Sequence, residues 1–418
     1  MKTIGILKNP VQDYAWGSLA AIPELLGQPA TGRPQAELWM GAHPSAPSQT
    51  YHDGKWESLL QMIEAHPADV LGKAAAEKFG GKLPYLFKVL AAAKPLSIQA
   101  HPNSHQAREG FERENRLGIS LMSSNRNYKD DNHKPECICA LTRFRGMNGF
   151  RRIPEIVQYL GGLCGDILKE EIALLENQPD SKGLKRLFQS LLTMPPDKKT
   201  AAISSGVSIA GSFHGPGDLP ADPVFQWILR LHAEYPEDPG VLFPALFNLF
   251  CLEPGQALYL ASGEPHSYLD GVGIELMANS DNVLRGGLTR KHLDVPELIN
   301  ILNFQEQVPA VILPRKCSEA EWVYDTPAEE FSLSMISVVP GLYWSSCQDR
   351  SVDILLCTQG QLVLDSGPED DPIHLFKGIS AVVPASVGEY HLHGSGVCYK
   401  VSVPGPAGFM LDTRLAES

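Results

Sequence analysis

Lys94-Pro-Leu-Ser-Ile-Gln-Ala-His-Pro102 reads as a short strand running into a proline. Residues two apart in a strand project to the same face, so Gln99 and His101 share a side, with Ser97 above them. Whatever completes that side must come from other strands, and strand signals do surround it. Ala36-Glu-Leu-Trp-Met-Gly-Ala-His-Pro44 and Pro84-Tyr-Leu-Phe-Lys-Val-Leu-Ala91 are apolar runs stopped by Gly or Pro, with one helix-like piece, 56–66, between them. A polar stretch from Ser104 leads to a further strand, 136–141. From 151 to 238 the period changes. Segments 151–163, 184–192 and 223–234 place apolar residues three and four apart, as helices do. Strand character returns at Ala257-Leu-Tyr-Leu-Ala261 and runs to about residue 308. Beyond 329, short runs such as Gln361-Leu-Val-Leu364 are punctuated by Gly341, Gly360, Gly367, Gly378 and Gly394. The expected fold class is therefore mainly β with a helical insertion, the last stretch suiting a small antiparallel sandwich or barrel. Residues 1–150 plus 239–318 form the first domain, 151–238 the insertion and 319–418 the C-terminal β domain.

With 418 residues the chain exceeds one ordinary core, and 43% hydrophobic against 20% charged residues is a globular composition. A net charge of -13 repels a nucleic-acid backbone, so no nucleic-acid partner is expected, and any anionic ligand needs a local cluster of cations. The most apolar stretch, 241–252, contains Pro244 and Asn248 and falls short of the roughly 20 residues that span a bilayer. No membrane association is expected. The first ten residues lack a long apolar core with a cleavage site, and the eight cysteines form no framework, which together point to a cytoplasmic chain with reduced thiols. Cys137 and Cys139 lack a second pair for zinc and read as one face of a buried strand. Dinucleotide, P-loop, zincin and hydrolase-elbow motifs are absent, and Phe79-Gly-Gly-Lys82 reads as a turn.

Two further stretches give Gln99 and His101 company. In Tyr128-Lys-Asp-Asp-Asn-His-Lys-Pro-Glu136, Glu136 stands at the threshold of a buried strand, where a carboxylate needs a cation or strong donors. Glu264-Pro-His-Ser-Tyr-Leu-Asp-Gly-Val-Gly-Ile-Glu-Leu-Met-Ala-Asn-Ser-Asp-Asn-Val-Leu-Arg-Gly-Gly-Leu-Thr-Arg-Lys291 packs His266, Glu275, Asp281, Arg285 and Lys291 among alternating apolar positions. Such a density of ionisable groups beside strands is the mark of a functional site.

These stretches, in this order, resemble the type I phosphomannose isomerases of the cupin superfamily, as do Tyr14-Ala-Trp-Gly-Ser18 and Glu37-Leu-Trp-Met-Gly41. The resemblance covers the first three quarters of the chain. It implies two cupin-like jelly-roll domains and one Zn2+ per chain held by Gln99, His101, Glu136 and His266. Arg285 then matches the family's active-site arginine, and Ser97 and Lys291 lie at the phosphate end; Lys88 either assists there or is a solvated strand lysine. The implied activity is aldose-ketose isomerisation of D-mannose 6-phosphate and D-fructose 6-phosphate through an enediolate, by a monomer acting on a free sugar phosphate. Three positions depart from the family pattern. Ser267 and Gly286 replace small residues with small ones, whereas Arg290 replaces a proline, loosening a turn and adding charge beside Lys291.

For proton transfer the candidates are His133, Lys134, Glu275 and Asp281, with Lys134 and His133 preferred because they sit just before Glu136, separated from it by Pro135. Glu275 and Asp281 serve alternatively to orient Arg285 and Lys134 by ion pairing. A cupin-type iron oxygenase would use two histidines and one carboxylate, and a catalytically silent sugar-phosphate sensor would keep the scaffold alone. His391 and His393 share a strand face without a carboxylate and read, like His43, His52, His66, His105 and His214, as surface or satisfied histidines.

Overall fold

The computed structural model describes residues 3–52, 54–212, 222–367 and 371–405, so His214 lies outside the described residues. Two antiparallel systems of eleven strands each dominate it, with helices gathered mainly between 153 and 234. The mainly β class with a helical insertion is the one expected. In the first system the spatial order is Val311–Ile312, Ala257–Leu260, Glu136–Ala140, His266–Ala278, Tyr85–Ala92, Glu37–Gly41, Val11–Gln12. The start of the long strand His266–Ala278 also pairs with Ile98–Ala100 and with Phe144–Phe150, and Leu284–Gly287 lies beside Ile98–Ala100.

Alternation decides what each strand shows to either side. Leu38, Met40, Phe87, Val89, Cys137, Cys139, Ile274 and Leu276 face outward onto the second system, where they share a core with Tyr324, Leu333, Ile354 and Val401. Leu90, Ile138, Ala140, Phe144, Leu258 and Tyr268 form a separate interior cluster. Cys137 and Cys139 are thus one face of a buried strand, and all eight cysteines are free. On the other side of the molecule, Ile98, Ala100 and Leu284 pack against the helical insertion, in the cluster built around Phe150, Phe188, Phe243 and Phe247. Residues between them in sequence, Gln99 and Arg285, are turned the opposite way.

The long strand changes parity partway. A bulge between Tyr268 and Asp270 inserts Leu269 as an extra residue against Phe144–Phe150, and bulges of this kind bend a strand and re-aim its side chains. At Gly271 (φ 126°) an added Cβ would meet the Arg143 carbonyl oxygen at 2.7 Å, so only glycine fits the bend. Before the bulge the inward residues are His266 and Tyr268; after it they are Glu275 and Met277.

The insertion consists of helices Ile153–Cys164, Lys169–Asn177, Ser181–Leu192, Pro196–Ser212 and Pro223–Glu234. The second system runs through Ser332–Val338, His391–Ser402, Asp353–Asp365 and Ser380–Val383, then adds Gly5–Lys8, Gln49–His52 and Lys55–Ser58 from the N-terminal part of the chain. Four expectations are corrected. Segment 56–66 is strand Lys55–Ser58 followed by helix Leu59–Ala65, because Trp56 pairs across a hairpin with Tyr51. The polar stretch after Ser104 begins with helix Ser104–Arg116, started by a capping box in which Asn103 and Gln106 exchange side-chain and backbone bonds. Helix Val295–Ile301, capped by Asp294, interrupts the strand character expected up to 308. Of strand 94–102 only Ile98–Ala100 is in the ladder, and His101 lies just beyond it. No described helix is long and apolar enough to cross a membrane.

Candidate metal centre and active site

Three side chains brought together from sequence positions 35 and 130 residues apart form the one metal-capable cluster among the described residues: His101, Glu136 and His266, all buried, with ligand atoms within 4.8 Å of one another. His101 Nε2 lies 3.3 Å from Glu136 Oε1, and His266 Nε2 lies 3.3 Å from Glu136 Oε2. The other nitrogen of each ring donates to a backbone carbonyl, His101 Nδ1 to Asn282 O at 2.7 Å and His266 Nδ1 to Glu264 O at 3.0 Å. That arrangement commits each Nε2 to the centre of the cluster, as metal-binding histidines require. His101 Nε2 is buried without a hydrogen bond. Burial lowers the His101 pKa to about 4, which keeps the ring neutral and its lone pair available. Neutral nitrogens with one carboxylate suit zinc. Gln99 stands directly across from His266 in one ladder and from Arg285 in the other, and borders the same cavity.

That cavity, about 60 Å³, is lined by Glu37, Lys88, Leu90, Leu96, Gln99, Lys134, Glu136, His266, Tyr268 and Glu275. Lys134 Nζ sits 3.0 Å from Glu136 Oε1. Burial would push the Glu136 carboxyl up, but Lys134 and His101 outweigh it and hold the group well below the usual range. Lys88 is no solvated strand lysine: it is buried, 2.8 Å from Glu275 Oε2 and 3.8 Å from Glu37 Oε2, with its ammonium over the Trp39 ring. Glu275 therefore pairs with Lys88, its direct cross-strand neighbour, and does not orient Arg285 or Lys134. Asp281 likewise pairs with His43, at 3.4 Å, and stays largely exposed. His133 donates to Glu330 Oε1 at 2.6 Å and does not line the cavity, so the adjacent His133 and Lys134 serve different neighbours.

Arg285 and Lys291 have no carboxylate partner among the described residues, and the two cations act on each other: burial and then Arg285 lower the Lys291 pKa. The segment joining them contains Leu288, the one described non-glycine residue with φ in the left-handed region, at 53°. His391 Nδ1 is 2.8 Å from Ser345 Oγ, and His105 pairs with Glu109 at the surface.

Two polar cavity residues, besides the apolar Leu90 and Leu96, escaped the sequence reading. Glu37 accepts from Trp39 Nε1 at 2.6 Å, and Tyr268 holds a buried hydroxyl with no hydrogen-bond partner. Strand alternation contained both, since Glu37 shares a face with Trp39 and Tyr268 shares one with His266.

Comparison with known proteins agrees with this geometry. The catalytic-domain profile of type I phosphomannose isomerase matches residues 4–153. Mannose-6-phosphate isomerase of Escherichia coli (strain K12) is 41% identical over 393 residues, spanning 93% of this chain and 97% of that protein. The Homo sapiens mannose-6-phosphate isomerase is 33% identical, over 89% and 91% respectively. A zinc-bound mannose 6-phosphate isomerase crystal structure superposes with a TM-score of 0.88 at 39% identity, covering 96% of this chain and 100% of the other. The Salmonella typhimurium enzyme bound to substrate and zinc gives the same values. The interior cluster, the flanking cations and these likenesses agree: the chain belongs to the type I phosphomannose isomerases.

Proposed function

We propose that this protein is a zinc-dependent isomerase that interconverts D-mannose 6-phosphate and D-fructose 6-phosphate. The observation that carries the proposal is the meeting of His101, Glu136 and His266, with Nε2 of both rings turned to the carboxylate, beside a cavity that Glu136 and His266 line together with Lys134, Glu275 and Tyr268. Gln99 would complete the ligand set from the same cavity wall. When bound, zinc supplies positive charge that favours an enediolate.

The rest falls to the chain's own residues. Arg285, a permanently charged fork without a carboxylate partner, and Lys291 beside it receive anionic oxygens of the substrate, with Ser97 on the preceding segment. Lys134, after its ammonium has given a proton to solvent, would take the proton from one of the two carbons and return it to the other, while Glu136 is among the residues that would hold the metal. Tyr268 stays a neutral donor, because burial and then the nearby carboxylates Glu275 and Glu136 push its pKa well up. Its hydroxyl can bond a sugar oxygen. Lys88 fixes Glu275, and the pair presents one acceptor toward the sugar hydroxyls. His133 holds its segment through Glu330, and Asp281 holds His43.

The reading extends to the whole protein as a monomeric cytoplasmic enzyme of a free sugar phosphate, in keeping with the eight free cysteines and the net charge of -13. Residues 1–150 with 239–318 would be its catalytic cupin domain, 151–238 the insertion and 319–418 a second cupin-like domain, with Gly5–Lys8, Gln49–His52 and Lys55–Ser58 lending strands to the latter's sheet. A coupled assay of fructose 6-phosphate formed from mannose 6-phosphate tests the activity, run before chelation, after it and after zinc is restored. Turnover lost on chelation and regained with zinc is the expected result. One equivalent of bound zinc without turnover would point to a sugar-phosphate sensor instead.

A further inference from the structure

Asn282 is fully buried, and its side chain spends every polar valence on another segment. Its Oδ1 accepts from the Lys129 N–H at 2.7 Å and the Asp130 N–H at 3.3 Å. Its Nδ2 donates to the Asp130 carbonyl at 2.9 Å, to Asp130 Oδ1 at 3.2 Å and to the Asn132 carbonyl at 2.8 Å. The carbonyl of the same residue accepts from His101 Nδ1 at 2.7 Å. One residue therefore touches both the ring of a metal-site histidine and the run that leads, through His133, into Lys134 and Glu136. Ser280 and Asp281 add two bonds between the same segments, Ser280 Oγ donating to Asp130 Oδ1 and the Asp281 N–H to Asp130 Oδ2, both at 2.7 Å.

We propose that Asn282 is the positioning residue of this site: its amide locks the 129–132 run to the 280–282 run, and its carbonyl, held in place by that lock, fixes the His101 ring with Nε2 toward Glu136. The inference rests on the zinc-isomerase reading for what the ring is held toward, while the lock itself is a property of the metal-free chain. Chemistry explains why the residue is Asn. An aspartate would keep the acceptor for Lys129 and Asp130 but set an oxygen against two carbonyls and the Asp130 carboxylate, turning three attractions into repulsions. An alanine would take the partner from the part-buried Lys129 and Asp130 N–H groups and the Asp130 carbonyl, and leave the Asn132 carbonyl with the Ser280 hydroxyl at 3.3 Å. Outer partners of metal-binding histidines typically govern metal affinity by 10- to 100-fold.

The test compares N282D and N282A with D180A. Asp180 caps helix Ser181–Leu192 by accepting from Lys182 and Gly183, outside the site, and controls for a general loss of stability. Three quantities are measured: zinc dissociation into a chromophoric chelator, amide hydrogen exchange at Lys129 and Asp130 in metal-free protein, and the His101 ring tautomer by 15N NMR. Expected for both Asn282 variants are zinc release about 10- to 100-fold faster, exchange at least tenfold faster and a mixed His101 tautomer, with kcat reduced more than KM is raised. D180A should match wild type in all three. Exchange and tautomer unchanged in N282A, or changed equally in D180A, would overturn the proposal. If wild type held no zinc at all, the zinc reading would fall, and the metal-free measurements would still decide whether the lock exists.

Discussion

Lys88 and Glu275 face each other as direct cross-strand partners, Nζ to Oε2 at 2.8 Å, both side chains almost wholly out of water. Removing one partner of such a pair leaves an uncompensated buried charge, at a cost of about 3–5 kcal/mol. K88M and E275Q should each lose about that much in urea unfolding. The double variant should recover part of the loss, since the Lys88 and Glu275 charges go together, while Glu37 loses its cation and keeps the bond from Trp39 Nε1. Additive losses would show that the two groups do not interact.

His101 and His266 both lead with a committed Nε2, so H101A and H266A should lose zinc and turnover together. R285A should keep zinc, because Arg285 belongs to a different part of the site, while turnover is abolished. Metal analysis beside the coupled assay separates the two classes. An H266A protein with full zinc and activity would refute the ligand set.

Tyr268 holds its hydroxyl against the cavity without a bond. Deleting only that oxygen, in Y268F, should leave zinc content and stability near wild type. The expected fall in kcat is roughly 100- to 1000-fold, the scale seen when one preorganised donor is lost. Steady-state kinetics with zinc quantified on the same sample is the check.

Glu321 lies in the second sheet system, where Lys400 Nζ reaches it at 2.8 Å and Trp344 Nε1 donates to it at 2.8 Å. Burial raises its pKa, and Lys400 with these donors more than reverses the effect, so the folded value lies below the unfolded one. Its contribution to stability is therefore complete above the unfolded carboxylate pKa, about 4.3. It is lost as pH falls through the lower, folded value. E321Q should be less stable than wild type at neutral pH, and the gap should close as pH drops below about 4. Urea midpoints across that range measure it.

How much of this was legible in advance follows from the range of each interaction. Glu136 announced itself by standing between a polar loop and an apolar strand, and His266 and Gln99 by alternation, because those signals are local. The exchange of partners was not legible. Lys88 meets Glu275 across 187 residues, and Glu275 therefore has no ion pair to spare for Arg285 or Lys134. His133 and Lys134 are neighbours in sequence yet serve different neighbours, since adjacent residues in extended chain point opposite ways. Asn282 could not be singled out, because the bond that orients His101 comes from its backbone carbonyl, which every residue has. The capping box at Asn103 was present in the sequence and marks a helix in what reads as plain polarity.

The bulge at Leu269 and the bend at Gly271 give the long strand a counting rule. His266 and Tyr268 sit at even positions and Glu275 at an odd one, and all three reach one cavity only because a single extra residue lies between them. Loss or gain of one residue there would send Glu275 into the apolar layer between the sheets and bring Leu276 to the cavity. Within this stretch, descent can therefore trade one side chain for another but cannot alter the chain's length. A homologue with a gap between its counterparts of Tyr268 and Glu275 would have to find another carboxylate to meet its counterpart of Lys88.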